Sequence, residues 1–154
     1  MKGILQMKKS DLFSSEDAFK FASSIVSRGG KITILASDGI ILDVENYLPR
    51  HDTDKIHAVR ILTPYQLENV LMTNDSDAFY IVLRGSIIRN WSRECFESIM
   101  EIIRIKTYFK GAVIAVNIVG DLGIHSLYMQ KAALDHPKLD RNKGLYLWEE
   151  PLPL

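Results

Sequence analysis

The chain has 154 residues, of which 47% are hydrophobic and 25% are charged, and its 19 basic residues are balanced by 19 acidic residues. This length and composition predict a single globular domain over residues 1–154 rather than a disordered chain. The balanced charge provides no overall basic field, so the sequence argues against nucleic acid and membrane surfaces as partners.

The only cysteine, Cys95, excludes an intramolecular disulfide, and a cysteine-based zinc site would need several more ligands. Cys95 falls on the apolar side of a predicted helix, which favours a core residue over a nucleophile. The start of the chain has too short an apolar stretch for a signal peptide, and no window approaches the length of a membrane span. We therefore expect a cytoplasmic protein of a bacterium, a phage or a host cell.

The first third of the chain predicts an extension, a helix and a hairpin. Residues 1–12 form an N-terminal extension, and the first helix begins near Ser14, where a capping serine precedes acidic residues. This helix ends at a pair of glycines, Gly29 and Gly30. Two β-rich runs then flank Asp38-Gly39, a dipeptide typical of an antiparallel hairpin.

The remaining elements alternate between strands and helices. Residues 56–62 predict a third strand, and a helix follows because Thr63, Pro64 and Gln66 match a capping box with proline in the first turn. Further elements are a buried strand ending near Arg84, a long helix over 92–111, an apolar strand over 112–120 and a last helix that stops before Pro137. Residues 138–154 form an irregular C-terminal tail, which we expect to dock on a protein surface.

This order predicts an α/β or α+β fold with a mixed β-sheet of about five strands, an antiparallel meander first and then αβαβα, with helices on the faces of the sheet. The order is similar to that of the ribonuclease-H-like fold. That fold carries both enzymes and binding domains, so the similarity leaves the function open.

One candidate site is that of a metal-dependent nuclease or phosphoryl-transfer enzyme. Such chemistry needs carboxylates that converge on Mg²⁺ or Mn²⁺, and no cofactor is predicted otherwise. The strand that ends at Arg84 has no acid at its end, and turn chemistry already explains Asp38. The candidate catalytic residues are Asp38, Asp43, Glu68, Asp121 and His125.

A second candidate is the stretch HDTDKIH, in which His51, Asp52, Asp54 and His57 crowd together. Its spacing matches no zinc pattern, so we predict a polar loop and no metal site. The residues His51-Asp52-Thr53 resemble one half of the paired His-x-Thr/Ser signature of two-histidine phosphodiesterases. The second half is missing, because no other histidine has serine or threonine two places on.

A third candidate is a nucleotide or phosphometabolite site, since ligands bind beyond the carboxyl ends of parallel strands. A glycine turn before a helix offers free N–H groups to an anion, although Asp121 in that turn would repel a phosphate. The alternative is a turn in which Asp121 caps the helix. The candidate ligand-binding residues are Arg84, Ser86, Gly120, Gly123 and His125.

Because the sequence holds no complete catalytic set, the favoured function is a non-enzymatic protein-binding domain. It would act as an inhibitor, an immunity or counter-defence protein, or an adaptor, and its partner would be another protein or a second copy of this chain. The tail adds an apolar segment, and leaving such a segment exposed to water is unfavourable. Its candidate interface residues are Leu145, Tyr146, Leu147 and Trp148.

The tail generates the first testable prediction. Truncation after Gly144 should lower the melting temperature or shift the oligomeric state, because burying one Leu side chain is worth about 1.5–3 kcal/mol and an aromatic ring buries a larger area. Calorimetry and light scattering measure the two effects. If the truncated protein matches the full chain in melting temperature, mass and partner binding, the tail is a passive extension.

Overall fold

A computed structural model describes residues 4–10, 15–37 and 54–120. All strands of this part form one parallel sheet in the order β1-β5-β4-β2-β3, so the fold is α/β. The described elements are β1 (Ile4–Ser10), α1 (Ser15–Ser27), β2 (Ile32–Ser37), β3 (Ile56–Ile61), α2 (Pro64–Thr73), β4 (Ala78–Arg84), α3 (Gly85–Ile88), α4 (Arg93–Tyr108) and β5 (Val113–Val119).

The predicted mixed sheet with an antiparallel meander is wrong. β2 and β3 pair in parallel from Ile32↔Ile56 to Ser37↔Ile61, and parallel neighbours need a long crossover connection rather than a tight hairpin. Because the antiparallel meander is absent, the order of the described elements does not match that of the ribonuclease-H-like fold. The second hairpin strand, predicted after Asp38, lies outside the described residues.

The N-terminal extension contains a strand that the sequence analysis missed. Residues 4–10 form β1, which pairs with β5 from Ile4↔Val113 to Ser10↔Val119. β1 lies at the edge of the described sheet, where lysines such as Lys8 and Lys9 are common. These lysines interrupt the apolar pattern that marks the other strands, which is why β1 was not predicted.

The helices divide between the two faces of the sheet. α1 packs Ala18 and Ala22 against one face, whereas α2 and α4 pack Leu67 and Phe96 against the other. The β1–α1–β2 crossover runs one way along the sheet over the first face. The crossovers through α2 and α4 run the opposite way over the second face, so all three have the same hand, as parallel crossovers require.

The predicted capping box at the start of α2 is confirmed. The Thr63 hydroxyl accepts a hydrogen bond from Gln66 N at 3.2 Å, and the Gln66 side chain accepts one from Thr63 N at 3.1 Å, which completes the capping box. Ser92 caps α4 by accepting from Cys95 N at 3.2 Å. Gly29, with φ of +80°, follows the end of α1. Gly85–Ile88 forms the short helix α3 rather than an extension of β4.

The capping box generates the second prediction. Thr63→Ala should lower the free energy of unfolding by about 1 kcal/mol, because the Gln66 N–H loses its acceptor. The matched control is Thr73→Ala in the last turn of α2, where the hydroxyl donates only to Asn69 O and alanine is the better helix former. Urea unfolding of both variants measures the difference. Equal stability of the two variants would contradict a stabilising cap.

Candidate functional site

The strands β2 and β4 separate at their carboxyl ends. Their ladder ends at Ala36↔Val82, whereas β2 stays paired with β3 as far as Ser37 and β4 stays paired with β5 as far as Arg84. The chain leaves β2 toward β3 and leaves β4 toward β5, in opposite directions. This β2–β4 crevice is the topological switch point, the usual ligand position in an open α/β sheet.

A buried serine, Ser37, spans the crevice. Its hydroxyl is fully buried and accepts a hydrogen bond from the backbone N–H of Arg84 at 3.1 Å. The hydroxyl therefore replaces the ladder bond that is lost where the strands separate. Sequence reasoning missed Ser37, because a serine that ends an apolar run carries no signal of its partner on another strand.

The structure brings together part of the predicted ligand site. Arg84 pairs in register with Val119, the residue before Gly120, so Arg84 and Gly120 end neighbouring strands. Ser86 is exposed at the same edge, in α3. Gly120 has φ of +94° and no atom within contact distance of the position that a Cβ would take. Gly123 and His125 lie outside the described residues.

The predicted catalytic carboxylates are mostly outside the described residues, which include only Glu68. Glu68 accepts a hydrogen bond from the Ser98 hydroxyl, so it lies between α2 and α4 rather than at the sheet edge. The part of the chain that the structure describes contains no group of three His, Cys, Asp or Glu side chains suited to a metal ion. Asp38, Asp43, Asp121 and His125 lie outside that part, so their convergence stays a prediction.

The other predicted residues also fall into two groups. Asp54 and His57 lie at the start of β3, on the amino edge of the sheet, opposite the crevice. His51 and Asp52 lie outside the described residues, as do the tail residues Leu145, Tyr146, Leu147 and Trp148.

The connection from β1 to α1 joins a strand directly to a helix, as a phosphate-binding loop does, but it lacks the residues that such a loop needs. The intervening residues 11–14 read DLFS and contain no glycine. Glu16 and Asp17 occupy the first turn of α1, where their negative charge opposes binding of a phosphate. This end of the sheet therefore does not provide a nucleotide-triphosphate site of that kind.

The outer surface of α2 and α4 carries a second candidate site. The Cys95 side chain lies beside that of Tyr65, and its interaction with the Tyr65 phenol raises the pKa of that phenol. Cys95 is half-buried at this surface, so the prediction of a core residue is wrong. The apolar side of α4 is wide, and Cys95 lies at its margin, beside α2 instead of over the sheet. We name this surface the α2–α4 face, formed by Tyr65, Glu68, Met72, Cys95, Ser98, Ile102, Ile105 and Phe109.

The α2–α4 face is apolar and exposed. Tyr65, Met72 and Phe109 are 68%, 67% and 69% exposed. Among the described residues, every exposed large hydrophobic side chain lies on α2 or α4 or within two residues of one of them; the set is Leu62, Tyr65, Met72, Ile105 and Phe109. Single exposed apolar residues are ordinary on protein surfaces, whereas their concentration on one layer is less usual.

A cavity of about 540 Å³ lies at the amino edge of the sheet, opposite the edge where ligands usually bind. The loop before β4 lines this cavity, and its polar groups form hydrogen bonds within the protein. The Asp77 carboxylate accepts from Lys31 N at 2.8 Å, and the Asn74 carbonyl accepts from Lys106 Nζ at 2.8 Å. Burial lowers the pKa of Lys106, Lys110 adds to this effect, and Asp75 opposes it. These contacts join strand starts, so we assign the loop a structural role.

No protein-family model matches the chain, and no curated protein matches it. None of the described helices combines the length and the apolar character that crossing a membrane requires.

The β2–β4 crevice generates the third prediction. Ser37→Ala should lower the free energy of unfolding by about 1–3 kcal/mol, because the Arg84 N–H loses its acceptor where the strands separate. The matched control is Ser86→Ala, an exposed serine at the same edge, for which a change within about 0.5 kcal/mol is expected. Chemical denaturation measures both. A neutral Ser37→Ala variant would show that solvent replaces this bond.

Proposed function

We propose that this chain is a non-enzymatic protein-binding domain that acts as an inhibitor, an immunity or counter-defence protein, or an adaptor, and that binds its partner through the α2–α4 face. The observation that carries the proposal is that four of the five exposed large hydrophobic side chains among the described residues belong to this face. Burying one such side chain contributes about 1.5–3 kcal/mol, so a few of them supply much of the free energy of a specific complex.

The spacing of residues on the α2–α4 face suits a helical partner. Both helices run from the carboxyl edge to the amino edge of the parallel sheet, so they lie parallel, and Glu68 bonds Ser98 thirty positions later in the chain. On α4 the side chains recur at alternating intervals of three and four, which places them in one stripe. The stripe is about 21 Å long at 1.5 Å per residue. Its positions are 95, 98, 102, 105 and 109.

Charge around the face favours an apolar occupant. On α4, Arg93 pairs with Glu97 at 2.7 Å, and Glu101 pairs with Arg104 at 2.6 Å. These ion pairs leave little net charge to attract an oppositely charged surface. We therefore assign the face to an amphipathic helix of another protein, docked with its own apolar stripe between α2 and α4.

A second candidate function, a nucleotide or phosphometabolite binder, is favoured by the carboxyl edge. Arg84 and Gly120 end neighbouring strands beside the β2–β4 crevice, and the guanidinium is a suitable donor to a phosphate. The nuclease or phosphoryl-transfer alternative, which needs Mg²⁺ or Mn²⁺, has less support, because Glu68 bonds Ser98 on the helical layer. The acids in the first turn of α1 also oppose phosphate binding there.

The fourth prediction tests the α2–α4 face. A photo-crosslinking amino acid at Met72 should capture one defined protein in the host cell, whereas the same group at exposed Asn90, beyond α3, should not. The captured protein, once purified, should bind the Tyr65→Ser/Phe109→Ser double variant at least tenfold more weakly than wild type. Both side chains are largely exposed, so the variant should keep the melting temperature of wild type.

The outcomes separate the alternatives. Capture of only a second copy of this chain, with dimerisation lost in the double variant, would replace the foreign partner by a homodimer. Equal capture at both crosslinker positions, or equal affinity of wild type and double variant, would reject the α2–α4 face as the binding surface. A phosphate ligand that raises the melting temperature of wild type but not of Arg84→Ala would favour the second candidate function.

A further inference from the structure

The α2–α4 face begins at the edge where the C-terminal part of the chain leaves the sheet. α4 starts at the carboxyl edge, and Phe96 near its start belongs to the same core as Ile118 near the end of β5. Gly120 follows β5 at this edge. The chain beyond Gly120 therefore departs beside the first turn of α4, next to the start of the face.

The connection to the apolar segment of the tail, residues 145–148, is long enough to reach the whole face. Residues 121–144 span up to about 80 Å when extended, and about 36 Å if they are entirely helical. The 16 residues of α4 are about 24 Å long. The length of the connection therefore allows residues 145–148 to lie at either end of α4.

The composition of the tail segment matches that of the face. Residues 145–148 read LYLW and have two aliphatic and two aromatic side chains. On the α2–α4 face, the large apolar side chains that are exposed are Tyr65, Met72, Ile105 and Phe109. α1, on the other side of the sheet, has no exposed large hydrophobic side chain. Docking on the α2–α4 face therefore removes apolar area of both the tail and the helices from water.

The charges that flank the two apolar surfaces have opposite order. The acid Glu94 lies in the first turn of α4, and the base Lys110 directly follows Phe109 at the other end. The tail has three bases and one acid before its apolar segment and two acids after it: Lys138, Asp140, Arg141, Lys143, Glu149 and Glu150. A tail that runs parallel to α4 brings its bases toward Glu94 and its acids toward Lys110. Charge complementarity of this kind fixes direction more than affinity.

We propose that residues 145–148 dock on the α2–α4 face of the same chain, parallel to α4, and compete with the partner for that face. The competition rests on the proposed function, whereas the contact itself does not. A segment on a flexible connection has a local concentration of about 1 mM. With a dissociation constant of about 100 μM, it covers the face about nine-tenths of the time. The apparent affinity for the partner then falls about tenfold.

The fifth prediction tests the contact without a partner. In the purified full chain, a photo-crosslinking amino acid at Met72 should react with residues 145–148 of the same molecule, whereas the same group at Asn90 should not. A mixture of ¹⁵N-labelled and unlabelled chains distinguishes links within one molecule from links between two by mass spectrometry. The Leu147→Ser/Trp148→Ser variant should lose the link, and the matched polar change Asn142→Ser should keep it.

The direction of the tail is tested with two further crosslinker positions. Tyr65 lies at the start of α2, near the carboxyl edge, and Phe109 lies at the end of α4, near the amino edge. A crosslinker at position 65 should react mainly with residue 145, and one at position 109 mainly with residues 149 and 150. The reverse pattern would overturn the parallel arrangement.

The competition is measured as affinity for the protein captured through Met72. The Leu147→Ser/Trp148→Ser variant should bind it about tenfold more tightly than wild type, a change opposite in sign to that of Tyr65→Ser/Phe109→Ser. Equal affinity of wild type and the tail variant would overturn the competition.

The remaining outcomes concern the contact. Links only between labelled and unlabelled molecules would assign the face to the tail of a second copy and overturn docking within one chain. Equal reaction at Met72 and Asn90, or no link to residues 145–148, would overturn the contact altogether. These results come from the unsubstituted tail, so they decide even if the tail variant does not fold. Failure to capture any partner would reject the proposed function and leave the crosslinks unaffected, so the two proposals fail separately.

Discussion

The parallel pairing of β4 with β2 on one side and β5 on the other is the constraint on which the rest of the structure depends. Because these strands start at the same edge, their first backbone groups crowd together, and Asp77 holds them. Its carboxylate accepts from Lys31 N at 2.8 Å, and its carbonyl accepts from Val113 N at 3.0 Å. At the opposite edge the connections diverge, and the buried Ser37 hydroxyl spans the opening. The amino edge is therefore tied by structural bonds, whereas the strands β2 and β4 separate at the carboxyl edge.

The same pairing makes the two faces of the sheet unlike. The α2 and α4 side holds large buried residues such as Phe79 and Phe96. On the α1 side the helix contributes the buried alanines Ala18 and Ala22, whose small side chains let α1 lie close to the sheet. The same strands therefore support a layer built on large side chains on one face and a layer built on small helix residues on the other.

Sequence reasoning succeeded where the signal is local. The capping box at Thr63 depends on residues three positions apart, and it was predicted correctly. Strand direction was not predictable, since β2 and β3 read the same whether their pairing is parallel or antiparallel. Polar residues inside apolar strands were missed for a related reason. Ser37 and Asn117 acquire meaning only from partners 47 and 37 positions away, on strands whose adjacency the sequence does not state.

The alternation of side chains along β4 and β5 divides the core between the two faces of the sheet. Successive residues of a strand point to opposite faces, so Tyr80 packs on the α1 side while Phe79 and Ile81 support α2 and α4. The backbone between them is held on both sides by ladder bonds. A change in the strands themselves, such as a charge at Val116, would therefore disturb both faces, because it would destabilise the sheet that they share.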